Sequence, residues 1–220
     1  NAVSDIIRCL ESISLCCDEL MVVDGGSTDG TRELLEQRKG IYKLKIFDRP
    51  FDTLKQQRQF LLEQTPKNHW VVVLDQDEKF TFRFENYFRL YLSRIAPEIY
   101  EHSELPLISP LPHFNLINDT RHFAGAAIVH NQRAFYYNKS LHWYGPPYHA
   151  HITYDPPAEE GYVSALDSVK GFGILHHARL DPKRLSWRKN YLNDPKFGDY
   201  VDSSWGEDKP VINTLTEEYF

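Results

Sequence analysis

Trp70-Val-Val-Val-Leu-Asp-Gln-Asp-Glu78 is an apolar, largely β-branched run that stops abruptly on acid. Such a run reads as a strand buried on both faces, the kind found inside a parallel sheet. Its polar end carries carboxylates at the first and third places. Before it, residues 53–64 have helical spacing and Ile41 to Phe47 reads as a strand. Earlier still, Thr31 to Arg38 is helical, Gly25-Gly-Ser-Thr-Asp-Gly30 is a tight polar turn, and Leu20 to Val23 is a second apolar strand ending in acid, Asp24. Ile6, Ile7, Cys9, Leu10, Ile13 and Cys16 recur every three or four residues, so they predict an amphipathic helix, with Ser4 or Asp5 placed to cap it. Strands alternating with helices predict an α/β fold: a mostly parallel central sheet flanked by helices.

After position 80 the pattern becomes irregular. A helix is expected over about 84–95, then short strands at Leu105 to Ser109, His122 to His130 and Arg133 to Tyr137. A loop rich in proline and aromatic rings covers about 141–160, Gly171 to His176 is a further strand, and Asp181 to Leu192 has helical spacing. An open α/β sheet normally begins with a strand, whereas the first element here is a helix behind Asn1-Ala-Val. The true first strand is therefore expected to lie outside this sequence. The whole chain reads as one domain, with a ligand-binding half at 1–80, an irregular second half at 81–180, and a helix and tail at 181–220.

Composition narrows the partners. With 220 residues, 41% of them hydrophobic, the chain can bury one substantial core. A formal charge of −6 argues against nucleic acid as a partner, because phosphate neutralisation needs a basic face. Cys9, Cys16 and Cys17 are odd in number and lack metal-type spacing, which fits a reducing compartment. No run reaches the length of a membrane span and no leader pattern opens the chain. A cytoplasmic location is expected.

Ligands of open α/β sheets bind beyond the carboxyl ends of the strands. Two strands here end in aspartate, Asp24 and Asp75, each followed by a polar turn. At the first, Asp24 is able to accept hydrogen bonds from a ligand while Gly25 and Gly26 let it approach the backbone; the plain alternative is a turn whose Ser27, Thr28 or Asp29 caps the next helix. At the second, residues two apart on a strand face the same way, so Asp75 and Asp77 are expected to reach one hard cation, Mg²⁺ or Mn²⁺, that neutralises a pyrophosphate. The plain alternative is a solvated acidic turn. Lys55 and Arg58, three apart on one helix face, are placed to meet an anionic ligand, or else form a solvated basic face.

Taken together, Val22-Val-Asp-Gly-Gly-Ser-Thr-Asp-Gly-Thr31, Leu54-Lys-Gln-Gln-Arg-Gln-Phe60 and Trp70 to Glu78, in this order and spacing, resemble family 2 glycosyltransferases of the GT-A fold. The likeness is nearest to the branch of lipopolysaccharide-core glucosyltransferases; it is close over 1–80 and loose over 120–190. The resemblance implies a nucleotide-diphosphate sugar donor, a glycan or lipid-linked acceptor, and transfer with inversion. It makes Asp24 a contact to base or ribose, Asp75 a ribose or sugar contact and Asp77 a metal ligand, and it matches Lys55 and Arg58 to the family's basic helix residues. A histidine often completes the metal shell at the last strand; His176 stands there, and imidazole mildly favours Mn²⁺.

The second half departs from the family pattern. Where many members have a His-Glu pair whose carboxylate acts as base, Pro147-Tyr-His-Ala-His-Ile152 has Ala150. Asp155, Glu159 and Glu160 are then the leading candidates for the base, with Asp167, His149 and His151 behind them. Pro182-Lys-Arg-Leu-Ser-Trp-Arg-Lys189 is suited to peripheral contact with the inner face of a membrane, or simply to packing on the domain. Two other readings stay open. A catalytically degenerate sugar-binding module accounts for Ala150, and a sugar-phosphate nucleotidyltransferase shares the sheet and metal but usually opens with a Gly-rich, Arg-containing loop.

Overall fold

The computed structural model describes residues 2–100, 107–118, 121–123, 129–137, 141–147, 150–154, 170–177 and 212–214. The first half follows the periodicity. Helix α1 (Ile6–Cys16), strand β1 (Leu20–Asp24), α2 (Thr31–Arg38), β2 (Leu44–Asp48), α3 (Leu54–Gln64) and β3 (Trp70–Val72) come in the expected order. Strand β2 starts at Leu44 rather than Ile41 because Lys43 takes a left-handed φ of 50°, which ends a turn instead of extending a strand. Asp5 precedes α1 but does not cap it; its carboxylate is held by Arg8 at 2.6 Å. Thr53 does cap α3, accepting from Gln56 N at 3.2 Å.

The second half contains β4 (Glu78–Phe80), α4 (Phe82–Tyr100), β5 (Ile108–Asn118), β6 (Arg121–Phe123), β7 (Val129–Tyr136), β8 (Leu141–Tyr144), β9 (His151–Tyr154), β10 (Ile174–His176) and β11 (Ile212–Thr214). The expected run at 105–109 is therefore the start of a much longer strand. Pro110 and Pro112 argue against a strand in sequence, yet the register against β7 shifts between Ser109 and Pro110, and a bulge is where proline is tolerated. The expected loop at 141–160 begins as an antiparallel hairpin, β8 against β9. Residues 181–192 lie outside the described ones.

The α/β class holds, and the pairing within it is mixed rather than mostly parallel. Strands β1 and β2 pair in parallel, as do β5 and β10. The other pairs are antiparallel: β10 with β4, β3 with β7, β7 with β5, β5 with β6, β6 with β11, and β8 with β9. The alternation of strand and helix that enforces parallel pairing stops after α4. Among the described residues, β1 and β2 form their own two-stranded sheet.

The core is aromatic where α4 meets the sheet. Phe80, Phe84 and Phe88 are spaced four apart and stack successively at 4.1 and 4.5 Å between centroids, and Phe172 meets Phe84 edge-on at 5.1 Å. Helix α1 is tied to the same layer by Ser12 Oγ, which accepts from Phe80 N at 2.8 Å. A second cluster joins Leu62 of α3 to Phe135, Trp143 and Ile152. Backbone packing is closest at Gly173. A Cβ there would lie 2.9 Å from Pro112 O and 3.0 Å from the Phe114 ring, so overpacking at the β5–β10 seam is the expected consequence. Gly173→Ala should cost about 1–3 kcal/mol, read as a lower urea midpoint; an unchanged midpoint would mean the seam yields freely.

Candidate functional site

Strand β3 closes at Val72, and Val73 N makes one more bond to Arg133 O, at 2.8 Å. The chain then folds over itself: Glu78 N donates to Asp75 O at 2.9 Å, and Asp75 N donates back to Glu78 Oε2 at 2.8 Å. Residues 75–78 are thus a closed turn. That removes the premise that Asp75 and Asp77 share a strand face.

The two aspartates have different partners. Arg58 Nη2, from α3, donates to both oxygens of Asp75 at 2.8 Å. Arg133 Nη2, from β7, donates to Asp75 Oδ2 and to Glu78 Oε1, each at 2.9 Å. Glu78 Oε1 also meets His113 Nε2, from β5, at 2.9 Å. Burial alone would raise the Asp75 carboxyl, but the charges of Arg133 and Arg58 outweigh it and hold the group well below the usual carboxylate range. Glu78, 2% exposed, is held down against its own burial by Arg133 and by His113. Burial pushes the His113 imidazole down, against the opposing pull of Glu78. Both oxygens of Asp75 are thus engaged by guanidinium groups, and its carboxylate is turned to Arg58 and Arg133.

Asp77 instead faces β10. Its Oδ2 lies 3.3 Å from His176 Nε2, and its backbone oxygen accepts from His177 N at 2.8 Å. The expected pair for a metal is therefore brought together. One carboxylate oxygen and one imidazole nitrogen suit a divalent cation that takes its remaining ligands from water and phosphate. They do not form a protein-only cage, and among the described residues no group of three or more His, Cys, Asp or Glu is placed to hold a metal ion. His113 and His176 rings are 4.9 Å apart, so the Glu78 and Asp77 groups adjoin through two imidazoles. Burial, then the charge of Arg8, lowers the His177 imidazole to about 4.

Lys55 and Arg58 do not stand on a solvated basic face. Lys55 Nζ donates to Gly145 O at 3.1 Å and its backbone N to Pro147 O at 2.8 Å. Arg58 lies over the Trp143 ring at 5.1 Å, and Trp143 N donates to Gln59 Oε1 at 2.9 Å. Helix α3 thereby carries the β8–β9 hairpin on one side and the Asp75 turn on the other. At the end of β1, the Asp24 carboxylate accepts from Ser27 Oγ at 2.6 Å and from Ser27 N, ordering the glycine turn. Asp29 accepts from Thr31 N and Oγ1, which satisfies the first amide of α2, while Gly30 and not Ser27, Thr28 or Asp29 takes the N-cap position. Asp24 O also accepts from Arg49 N, and Arg49 Nη1 reaches Gln57 of α3 at 3.1 Å, which joins the two strand ends.

Asp155, Glu159, Glu160, Asp167 and His149 lie outside the described residues. His151 is exposed on β9, 5.6 Å from the Tyr144 ring. Ala150 is packed against the cluster that holds Trp143. The residues that sequence reading missed are Arg133, Glu78 and His113. A buried arginine inside the strand-like run Arg133 to Tyr137 was the available signal, since unpaired charge is not left in a core.

Residues 1–85 match the family model described as glycosyl transferase family 2. A lipopolysaccharide core biosynthesis glycosyltransferase, LpsC of Rhizobium meliloti (strain 1021), is 34% identical over 73 residues, covering 33% of this chain and 26% of LpsC. The chain thus matches about a quarter of that relative's length. Among solved structures, S. aureus TarS is similar at 15% identity and a TM-score of 0.45, over 62% of this chain and 26% of that one. TarS 1–349 in complex with UDP gives the same identity and TM-score, over 44% of its own chain.

Proposed function

We propose that this chain, whose first 85 residues carry a family 2 glycosyltransferase sequence, moves a sugar from a nucleotide-diphosphate sugar to an acceptor hydroxyl. The observation that carries the proposal is the Asp75–Glu78 turn, which lies in the matched segment and presents Asp77 to His176 while two arginines neutralise Asp75. Asp77 and His176 would hold a divalent cation, and that cation would offset the charge gathering on the departing nucleoside diphosphate. Asp24, at the end of β1, contacts the base or ribose; Asp75 accepts from a ribose or sugar hydroxyl with the lone pairs its arginines leave. The acceptor hydroxyl attacks the anomeric carbon opposite the leaving group, and a base on the second half takes its proton. Asp155, Glu159 and Glu160 remain the proposed bases. A glycan or lipid-linked acceptor and contact of residues 182–189 with a membrane face belong to the same proposal; no described helix is long and apolar enough to cross a membrane.

The test is a thermal-shift panel of nucleotide-diphosphate sugars with and without Mn²⁺, because a ligand that binds only the folded state raises apparent stability. A Mn²⁺-dependent rise with one donor class is expected, and no rise with any of them would refute the donor site. One observation favours a second reading, a binding module without turnover: Ala150 fills core space next to Trp143, where the family pattern has its carboxylate. Slow hydrolysis of the donor in the absence of acceptor distinguishes the two, since a pure binding module releases no free sugar. Within the enzyme reading, alanine at the true base should lower kcat about 100-fold or more and leave donor KM nearly unchanged. If Asp155, Glu159 and Glu160 all tolerate alanine at saturating donor and acceptor, the base is one of His149, His151 and Asp167.

A further inference from the structure

We infer that Arg133 is a positioning residue for transfer: it clamps the Asp75–Glu78 turn from β7, fixes Asp77 opposite His176, and leaves Arg58 as the exchangeable partner of Asp75. The inference rests on the proposed donor site.

The two arginines on Asp75 are held in unequal ways. Arg133 is 6% exposed and bridges two carboxylates through one nitrogen, Asp75 Oδ2 and Glu78 Oε1 at 2.9 Å. These carboxylates belong to the first and last residues of the turn, so a single guanidinium closes it from outside as the Asp75 and Glu78 backbone amides close it from inside. Arg133 is itself fixed by the sheet: its carbonyl accepts from Val73 N, and the next residue, Ala134, is in register with Val72. The clamp also reaches the far side of the site, because Glu78 is in register with His176 across β4 and β10. A shift of Glu78 on β4 is therefore passed to His176 on β10 through this pairing.

Arg58 has no second carboxylate among its described partners. It meets Asp75 alone through Nη2, its Nε is buried without a hydrogen-bond partner, and its guanidinium lies across Trp143 of the hairpin. Moving Arg58 away from Asp75 leaves that carboxylate still paired, by Arg133. Moving Arg133 away leaves Glu78 with His113 and no permanent cation in a nearly waterless position, which a buried carboxylate does not tolerate. Arg58 is thus free to turn toward an incoming anion while the turn keeps its shape.

Arg133→Met alone is expected to fold poorly, so the informative variant is Arg133→Met combined with Glu78→Gln, which removes both charges of the buried pair. It should fold, with kcat lowered about 10–100-fold, the usual cost of disturbing a group that orients a ligand. Arg133→Lys should recover part of that loss, as it restores the charge without the fork. In an Asp75→Asn background the Arg133 substitution should cost little more, since both act through the same turn. A folded Arg133→Met/Glu78→Gln protein with wild-type kcat, a loss confined to KM, or full additivity with Asp75→Asn would each overturn the inference. If the wild-type chain transfers no sugar from any nucleotide-diphosphate donor, the proposed function fails, and the positioning inference is decided by side-chain ¹⁵N NMR of His176. The imidazole signals should move in the Arg133→Met/Glu78→Gln protein, and unchanged signals would sink it.

Discussion

Asp75→Ala should cost the protein about 3–5 kcal/mol, the typical penalty for breaking a buried ion pair by deleting one partner. The carboxylate keeps only a quarter of its surface in solvent and satisfies two guanidinium groups that are themselves nearly covered, at 10% and 7% exposure. Arg133 would keep its bond to Glu78 Oε1 at 2.9 Å, whereas Arg58, whose Nε already lacks a partner, would lose the carboxylate it meets. The expected reading is a lower urea midpoint with an unchanged slope; a loss under about 1 kcal/mol, typical of exposed pairs, would show that the cluster is solvated. The same network predicts an acid limb. Asp75 and Glu78 both titrate below their unfolded values, so the unfolded chain binds more protons as pH falls through about 4. Their stabilisation is complete above that pH and is lost below it. Asp75→Asn should flatten the slope of stability against pH in that window, and a slope equal to wild type would assign the acid limb to other groups.

How much of this was legible in sequence depended on whether the deciding contact was local. Helices α1, α2 and α3 and strand β1 were readable because apolar spacing and turn residues act within a few positions. Asp77 and His176 were readable as a pair only through the family resemblance, for they are 99 residues apart and meet because β4 and β10 are adjacent. The shared strand face expected for Asp75 and Asp77 came from a local rule: alternation along a strand holds only while the strand lasts, and β3 stops at Val72. Lys55 and Arg58 were correctly placed on one helix, yet periodicity does not say what lies opposite, here the hairpin turn and the half-buried Asp75. Strand β5 was hidden by Pro110 and Pro112, since a bulge depends on its partner strand and not on its own composition.

Asp77→Ala is expected to separate binding from folding. Asp77 sits at the apex of a turn whose closure is made by Asp75 and Glu78, and its backbone oxygen, which the substitution keeps, is what His177 N uses. Stability without ligand should therefore change by no more than about 1 kcal/mol. The ligand effect should vanish. For the wild type, Mn²⁺ with a nucleoside diphosphate at 100 times Kd adds about 2.7 kcal/mol by mass action, and a domain of this size gains about 2–4 °C in Tm per kcal/mol, so a rise of about 5–10 °C is expected. In Asp77→Ala the cation would lose its carboxylate and keep one imidazole, too little to hold a hard ion against water. The rise should fall to within error, in the same buffer and at the same ligand concentrations. His176→Ala should weaken the effect less, because the carboxylate supplies the charge and the imidazole only a neutral donor. A full rise in Asp77→Ala would remove the cation from this turn, and equal losses in the two variants would mean that the imidazole matters to the ion as much as the charge does.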